Sequence, residues 1–118
     1  MKFKIISIGK VKNQNLKNEI EELSKRISRL EIIELKEFKD KNEEIIKKKE
    51  GEEILKNLKS DEFKVLLWEH GKEFNTQFFY EKFKNIEQTI CFIITGAFGP
   101  SEELKKQISI KLSLSQIY

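Results

Sequence analysis

TICFIITGAFGPSEE, residues 89–103, is the stretch that decides the fold. Its first half, Thr89 to Thr95, is the most apolar run in the chain. A continuous apolar run of this length, rich in β-branched residues, reads as a strand buried on both faces, which is the signature of a parallel sheet. Its second half holds two glycines three residues apart, then Pro100, Ser101 and a pair of glutamates. This reads as a loop leading into a helix. Pro100 or Ser101 opens the helix, and Glu102 and Glu103 in its first turn suit the helix dipole. A central strand, a glycine loop and a helix start form the core of a β–loop–α unit.

The same grammar extends in both directions. Upstream, FKVLLW (residues 63–68) is a second continuous apolar strand, and EHGKEFN after it reads as a loop. Thr76 to Phe83 reads as a helix between these two strands. Glu43 to Leu58 reads as a helix carrying Ile45, Ile46, Ile54, Leu55 and Leu58, with Asp40 and Asn42 supplying a turn and a cap. Gly51 inside it costs about 1 kcal/mol against alanine, so it marks a close contact or a break. Leu30 to Leu35 reads as a strand. Asn13 to Ser28 reads as a helix with Leu16, Ile20, Leu23 and Ile27 on one face. Phe3 to Ile8 reads as the first strand, ending at Gly9. Downstream, Ile108 to Leu114 returns to strand character. The order is βαβαβαβαβ with short connections. It predicts a single α/β domain over residues 1–118, with a mostly parallel sheet and helices on both faces.

Composition narrows the class. The chain has 118 residues, 36% of them charged, and a net charge of +3. Residues 1–60 hold 16 Lys/Arg against 12 Asp/Glu, and residues 61–118 hold 7 against 8, so the mild excess of positive charge lies in the first half. That is compatible with an RNA partner without requiring one. The single cysteine, Cys91, sits in the apolar run and reads as a small buried hydrophobe; no disulfide framework or zinc cluster can be built from it. His70 is the only histidine, and nothing near it completes a triad or a metal set. MKFKIISIG is too short and too alternating for a signal peptide, and no run approaches membrane-spanning length. A cytoplasmic protein that uses no metal is the expectation.

In a parallel sheet, ligands bind beyond the carboxyl ends of the strands. Three segments qualify: the loops after Trp68 and Thr95, and the chain after Leu114. The first, Glu69 to Phe74, is an ordinary solvated turn when taken alone. The second, Thr95 to Ser101, has glycines that let backbone N–H groups approach a ligand. Its spacing fits neither the dinucleotide nor the triphosphate fingerprint. The third, Ile110 to Tyr118, alternates Leu and Ser like a half-buried strand.

Taken in order, KFKIISIGKVK (2–12), KKKEGEEIL (47–55), LLWEHGKEF (66–74), IITGAFG (93–99) and LSLSQIY (112–118) resemble the RlmH-type large-subunit rRNA pseudouridine methyltransferases of the knotted SPOUT class. The resemblance covers the whole chain. It implies a doubly wound α/β domain whose C-terminal segment threads a loop to form a trefoil knot. It implies S-adenosylmethionine as the methyl donor, and a homodimer that acts on a pseudouridine of 23S rRNA in assembled ribosomes, at ring nitrogen 3. By this resemblance Leu67, Thr95, Gly96, Gly99, Leu114, Ser115, Gln116, Ile117 and Tyr118 match donor-binding positions. Thr95 stands where the family usually has glycine, and Trp68 where an acidic residue is common. The family continues for several tens of residues beyond the position matched by Tyr118. The knot is therefore expected to be incomplete in this chain, with donor bound weakly or not at all, and the catalytic residues stay unknown. Two alternatives remain open. One is a non-catalytic remnant or binding module on the same scaffold. The other is a flavodoxin-like nucleotide binder, which flavin absorbance in the purified protein would reveal.

Overall fold

A computed structural model describes residues 2–11, 29–72 and 83–112, together with positions 18, 21, 22, 25 and 81. Five strands and two helices are defined within them: β1 (Lys2–Ile8), β2 (Arg29–Leu35), α1 (Glu43–Lys56), β3 (Phe63–Lys72), β4 (Ile90–Ile94), α2 (Glu102–Gln107) and β5 (Ile110–Leu112). The strands form one sheet in the order β2-β1-β4-β3-β5. Every pairing is parallel. The α/β architecture expected from the sequence is therefore present, and TICFIIT supplies the middle strand of the five.

Burial follows strand position. Residues 3–8 of β1 are all buried, as are the first four of β4, because these strands have a neighbour on each edge and cover on each face. β2 lies at the edge, and Ile32 on it is 54% exposed. Side chains alternate between two cores. One face gathers Ile6, Ile8, Leu66, Cys91 and Ile93 beneath Ile54 of α1 and Leu104 of α2. The other gathers Phe3, Ile5, Val65, Leu67, Ile90 and Phe92 around Phe83. Phe3 and Phe92 stack there with ring centroids 5.5 Å apart. Cys91 is fully buried, as its apolar setting predicts, and burial pushes its thiol up to about 12.

The helix starts follow from their caps. The Asn42 side chain accepts from Glu44 N, and Asp40 Oδ1 accepts from Asn42 N. Ser101, rather than Pro100, caps α2, accepting from Leu104 N at 3.2 Å, with Glu102 and Glu103 in the first turn. α1 ends two residues before the expected Leu58. Asn57 closes it, donating from its side chain to Glu53 O at 2.9 Å and from its backbone to Ile54 O. The Gly51 position is a close contact and not a break. A Cβ there would lie 3.0 Å from Ser101 Cβ, so the missing side chain lets α2 seat on α1.

Several expectations need correction. Of the apolar residues that the helix carries, Ile45 does not join the core: it is 43% exposed. The face of α1 turned to the sheet runs through Ile46, Glu50 and Ile54, four residues apart, and Ile45 lies about 100° off that line. β3 extends through Glu69 to Lys72, so the expected loop begins later. Leu112 is level with both Leu67 and Lys72, and this irregular pairing takes up the extra residues beyond the apolar run. β5 starts at Ile110, because Ile108 still serves as the C-cap of α2, its N–H bonded to Lys105 O. The expected helices over 13–28 and 76–83 fall almost wholly outside the described residues. Asn18, Glu21, Glu22, Glu81 and Phe83 are helical, but the apolar face of Leu16, Ile20, Leu23 and Ile27 is not among those described.

Candidate functional site

The sheet register sets the site. Leu67 near the end of the apolar run of β3 is level with Ile94 on one side and with Leu112 on the other. Thr95 and Gly96 directly follow Ile94. The strand ends that lead into the three candidate segments therefore lie side by side on one rim of the sheet, with β3 in the middle. Leu67 is 3% exposed, its side chain in the core that also holds Phe83 and Val65. Leu114, Ser115, Gln116, Ile117 and Tyr118 lie outside the described residues, as does the segment from 73 to 80.

The loop after β4 is a tight turn. Gly99 N donates to Gly96 O at 3.1 Å, with Ala97 and Phe98 exposed at the tip. Its two glycines are needed for different reasons. Gly99 has φ +81°, the left-handed region where a side chain is strained, and its Cβ direction is open. Gly96 has no such dihedral requirement. A Cβ on it would lie 2.5 Å from Glu50 Oε1 and 3.3 Å from Ile8 Cγ2. The space left by its missing side chain is thus filled from within the protein, by a carboxylate of α1.

Glu50 is the residue that sequence reasoning missed. It is 5% exposed, on the face of α1 turned to the sheet, between Ile46 and Ile54. Its Oε2 accepts from Phe38 N at 3.0 Å. Burial is the main cause that lifts its carboxyl above the ordinary carboxylate value; the Phe38 hydrogen bond opposes this, and nearby Glu37 adds to it. Glu37 in turn lies against Gly9, where a Cβ would meet its Oε1 at 2.7 Å. Gly9 has φ +77° and donates its N–H to Leu35 O at 2.7 Å. The chain segments after β1, β2 and β4 therefore meet around Glu37 and Glu50. The signal was in KKKEGEEIL: a glutamate at a core position of the helical repeat, next to a glycine.

The rim's outer surface is different. Lys10, Lys36, Lys39 and Lys41 are exposed on the segments that follow β1 and β2, and Phe38 and Phe98 are 38% and 41% exposed. Among the described residues of this rim, the chemistry available is that of backbone groups, aliphatic walls and one buried carboxylate, bordered by lysines. Among the described residues no group of His, Cys, Asp and Glu side chains could hold a metal ion, and no helix is long and apolar enough to cross a membrane. Ser7, one residue before the end of β1, is 1% exposed, and its hydroxyl has no hydrogen-bond partner among the described residues.

Comparison with known proteins gives a consistent picture. A family model described as "Predicted SPOUT methyltransferase" matches residues 1–118. The ribosomal RNA large subunit methyltransferase H of Clostridium botulinum strain Kyoto is 38% identical over 130 aligned positions, covering 99% of this chain and 82% of that protein. The protein of the same name from Clostridium beijerinckii is 35% identical over the same coverage.

Proposed function

The chain belongs to the SPOUT methyltransferase family, and from that premise we propose that it transfers a methyl group from S-adenosylmethionine to ring nitrogen 3 of a pseudouridine in 23S rRNA. The observation that carries this reading is the similarity to large-subunit rRNA methyltransferases along 99% of the chain. The rim supports it. Leu67 lends an aliphatic side chain, and the Thr95–Gly99 turn, whose Gly99 N–H is spent on Gly96 O, lends its remaining backbone groups, which suit an adenine edge and an amino-acid chain. The β4–α2 loop, residues 95–101, carries no cationic side chain that would repel a sulfonium, and the buried carboxylate of Glu50 is compatible with one. Leu114, Ser115, Gln116, Ile117 and Tyr118 complete the donor-binding set.

The bound donor supplies an electrophilic methyl group, so the hard chemistry belongs to the cofactor. The protein's part is to hold donor and acceptor in line and to exclude water. The acceptor's ring N–H must also lose its proton, a step to which no described residue is assigned. The exposed lysines after β1 and β2 border the rim and suit an RNA backbone. The protein acts in the cytoplasm on assembled ribosomes as a homodimer.

The test is methyl transfer from labelled S-adenosylmethionine to ribosomes that lack the modification. It uses this chain, and in parallel this chain extended by the C-terminal segment of a relative. Incorporation into 23S rRNA, mapped to one pseudouridine, is the expected result. Label appearing only in protein or in small-subunit RNA, or no label with either version, would contradict the assignment.

A further inference from the structure

We propose that Glu50 is the positioning residue of the methyl-donor loop: its carboxylate fixes Gly96 against the segment after β2, and donor affinity depends on that lock. The inference rests on the reading of Gly96 as a donor-binding position. Glu50 uses its two oxygens differently. Oε2 takes the Phe38 N–H at 3.0 Å and thereby holds the segment between β2 and α1. Oε1 receives no hydrogen bond among the described residues and occupies the place a Gly96 side chain would need. The lock is built into a rigid element. Glu50 lies in mid-helix, flanked at four-residue spacing by Ile46 and Ile54, which are 7% and 1% exposed. Its backbone is therefore fixed by the sheet beneath it.

The next residue adds to this. Gly51 seats Ser101, which caps α2 at the far end of the same loop. Residues 50 and 51 of α1 thus contact both ends of the loop running from Gly96 to Ser101. One end is set by the carboxylate and the other by the absence of a side chain. A loop so fixed presents its backbone in one arrangement before donor arrives, and affinity then loses nothing to ordering it. Charge is not what the lock requires. A neutral acceptor of the same shape can take the Phe38 N–H and fill the space beside Gly96. This separates a positioning role from a direct ionic contact with the cationic donor.

A double-mutant cycle on the full chain decides it, read as S-adenosylhomocysteine affinity by calorimetry and as thermal midpoint without ligand. Glu50→Ala is expected to weaken binding at least ~10-fold, and Glu50→Gln by less than ~3-fold. Gly96→Ala alone is expected to weaken binding at least ~10-fold, because its Cβ forces Oε1 out of its place beside the loop and loosens the lock; added to Glu50→Ala it should weaken binding no further. The thermal midpoint of the double variant should equal or exceed that of Gly96→Ala alone. In methyl transfer, Glu50→Ala should raise the donor KM with little change in kcat. Additive losses, or a midpoint for the double variant below both singles, would overturn the lock. A loss with Gln as large as with Ala would overturn positioning in favour of a direct charge contact. A wild-type chain that binds no S-adenosyl ligand would bring down the donor reading, and this proposal with it; wild-type binding with normal affinity in Glu50→Ala sinks only the lock.

Discussion

Replacing Lys4 with methionine should be among the most damaging single changes outside the hydrophobic core. Lys4 lies in β1 and is 4% exposed; its ammonium meets Glu62 Oε2 at 2.8 Å, and Glu62 is 6% exposed. The ammonium also donates to Asn57 O, at the end of α1. Glu62 is anchored by a second bond, its Oε1 accepting from Lys59 N at 2.7 Å. Lys4→Met shortens the side chain by only one heavy atom and removes the charge, leaving a buried carboxylate without its counter-ion. Breaking a buried pair in this way costs about 3–5 kcal/mol, most of it the penalty on the abandoned partner. Glu62→Gln retains an acceptor for Lys59 N and strands the ammonium instead, with a similar loss. The double variant removes both charges of the pair and leaves Lys64 on its bond to Glu62 O, so its loss should stay below about 2 kcal/mol, and the two singles should couple by at least about 3 kcal/mol. Urea unfolding followed by circular dichroism reads this directly. With a slope of roughly 1.5 kcal/mol per molar, each single change should lower the midpoint by about 2–3 M. Lys4 and Glu62 also line an opening at the amino rim of the sheet, beside Lys2, Glu31 and Lys59. If water enters there and solvates the orphaned carboxylate, Lys4→Met will cost under 1 kcal/mol. That result, or additive singles, would refute the reasoning.

Gly51→Ala should destabilise the protein by about 1–3 kcal/mol, although helix propensity alone predicts a gain of about 1 kcal/mol, because the new methyl overpacks Ser101 and disturbs its cap. A thermal melt showing stabilisation would mean that α2 shifts freely. Glu50→Gln should change the pH dependence of stability. The folded carboxyl is raised above its ordinary value of 4.5, so wild type carries the cost of a buried charge only once the pH exceeds that range. Between pH 4 and 7.5, urea midpoints should therefore move in favour of the glutamine variant; a constant gap would show that burial does not perturb this group. Ser7→Ala should stabilise by about 1 kcal/mol, since it removes a buried hydroxyl that lacks a partner among the described residues. A loss in chemical denaturation would reveal a bond made outside them.

Some of this could be read from the chain alone because the physics is local. The apolar run from Ile90 to Ile94 names its own place in the sheet, since an edge strand would not be apolar at every position. Asn42 and Ser101 mark helix starts by side-chain chemistry that needs no tertiary context. Gly51 announced a close contact or a break, because glycine is otherwise a poor choice in mid-helix, and the structure decides for the contact. The two apolar runs, Phe63 to Trp68 and Thr89 to Thr95, pair as neighbours, and the loops expected after them leave the same rim of the sheet. What was not legible depends on phase and on distant partners. Whether Ile45 or Glu50 faces inward turns on a 100° rotation that a Lys- and Glu-rich helix does not signal through hydropathy. The reason Gly96 is a glycine lies 46 residues upstream, at Glu50. The end of β3 is set by backbone pairing with β5, which the apolar run does not record.

The strand order also bears on how the chain can form at all. β1 is made first but sits between β2 and β4, with Phe3 level with both Leu30 and Ile90. Its first neighbour is complete at Leu35, whereas the second is complete only at Ile94. At a synthesis rate of about 5–20 residues per second, the nascent β1–β2 pair waits roughly 3–12 seconds with one apolar edge unpaired. During that interval Ile5 and Ile6 have no strand on their far side, and the half-built sheet is open to wrong partners. A trigger-factor-like holdase, or fast codons between β2 and β4, would act on this window and not on the finished domain.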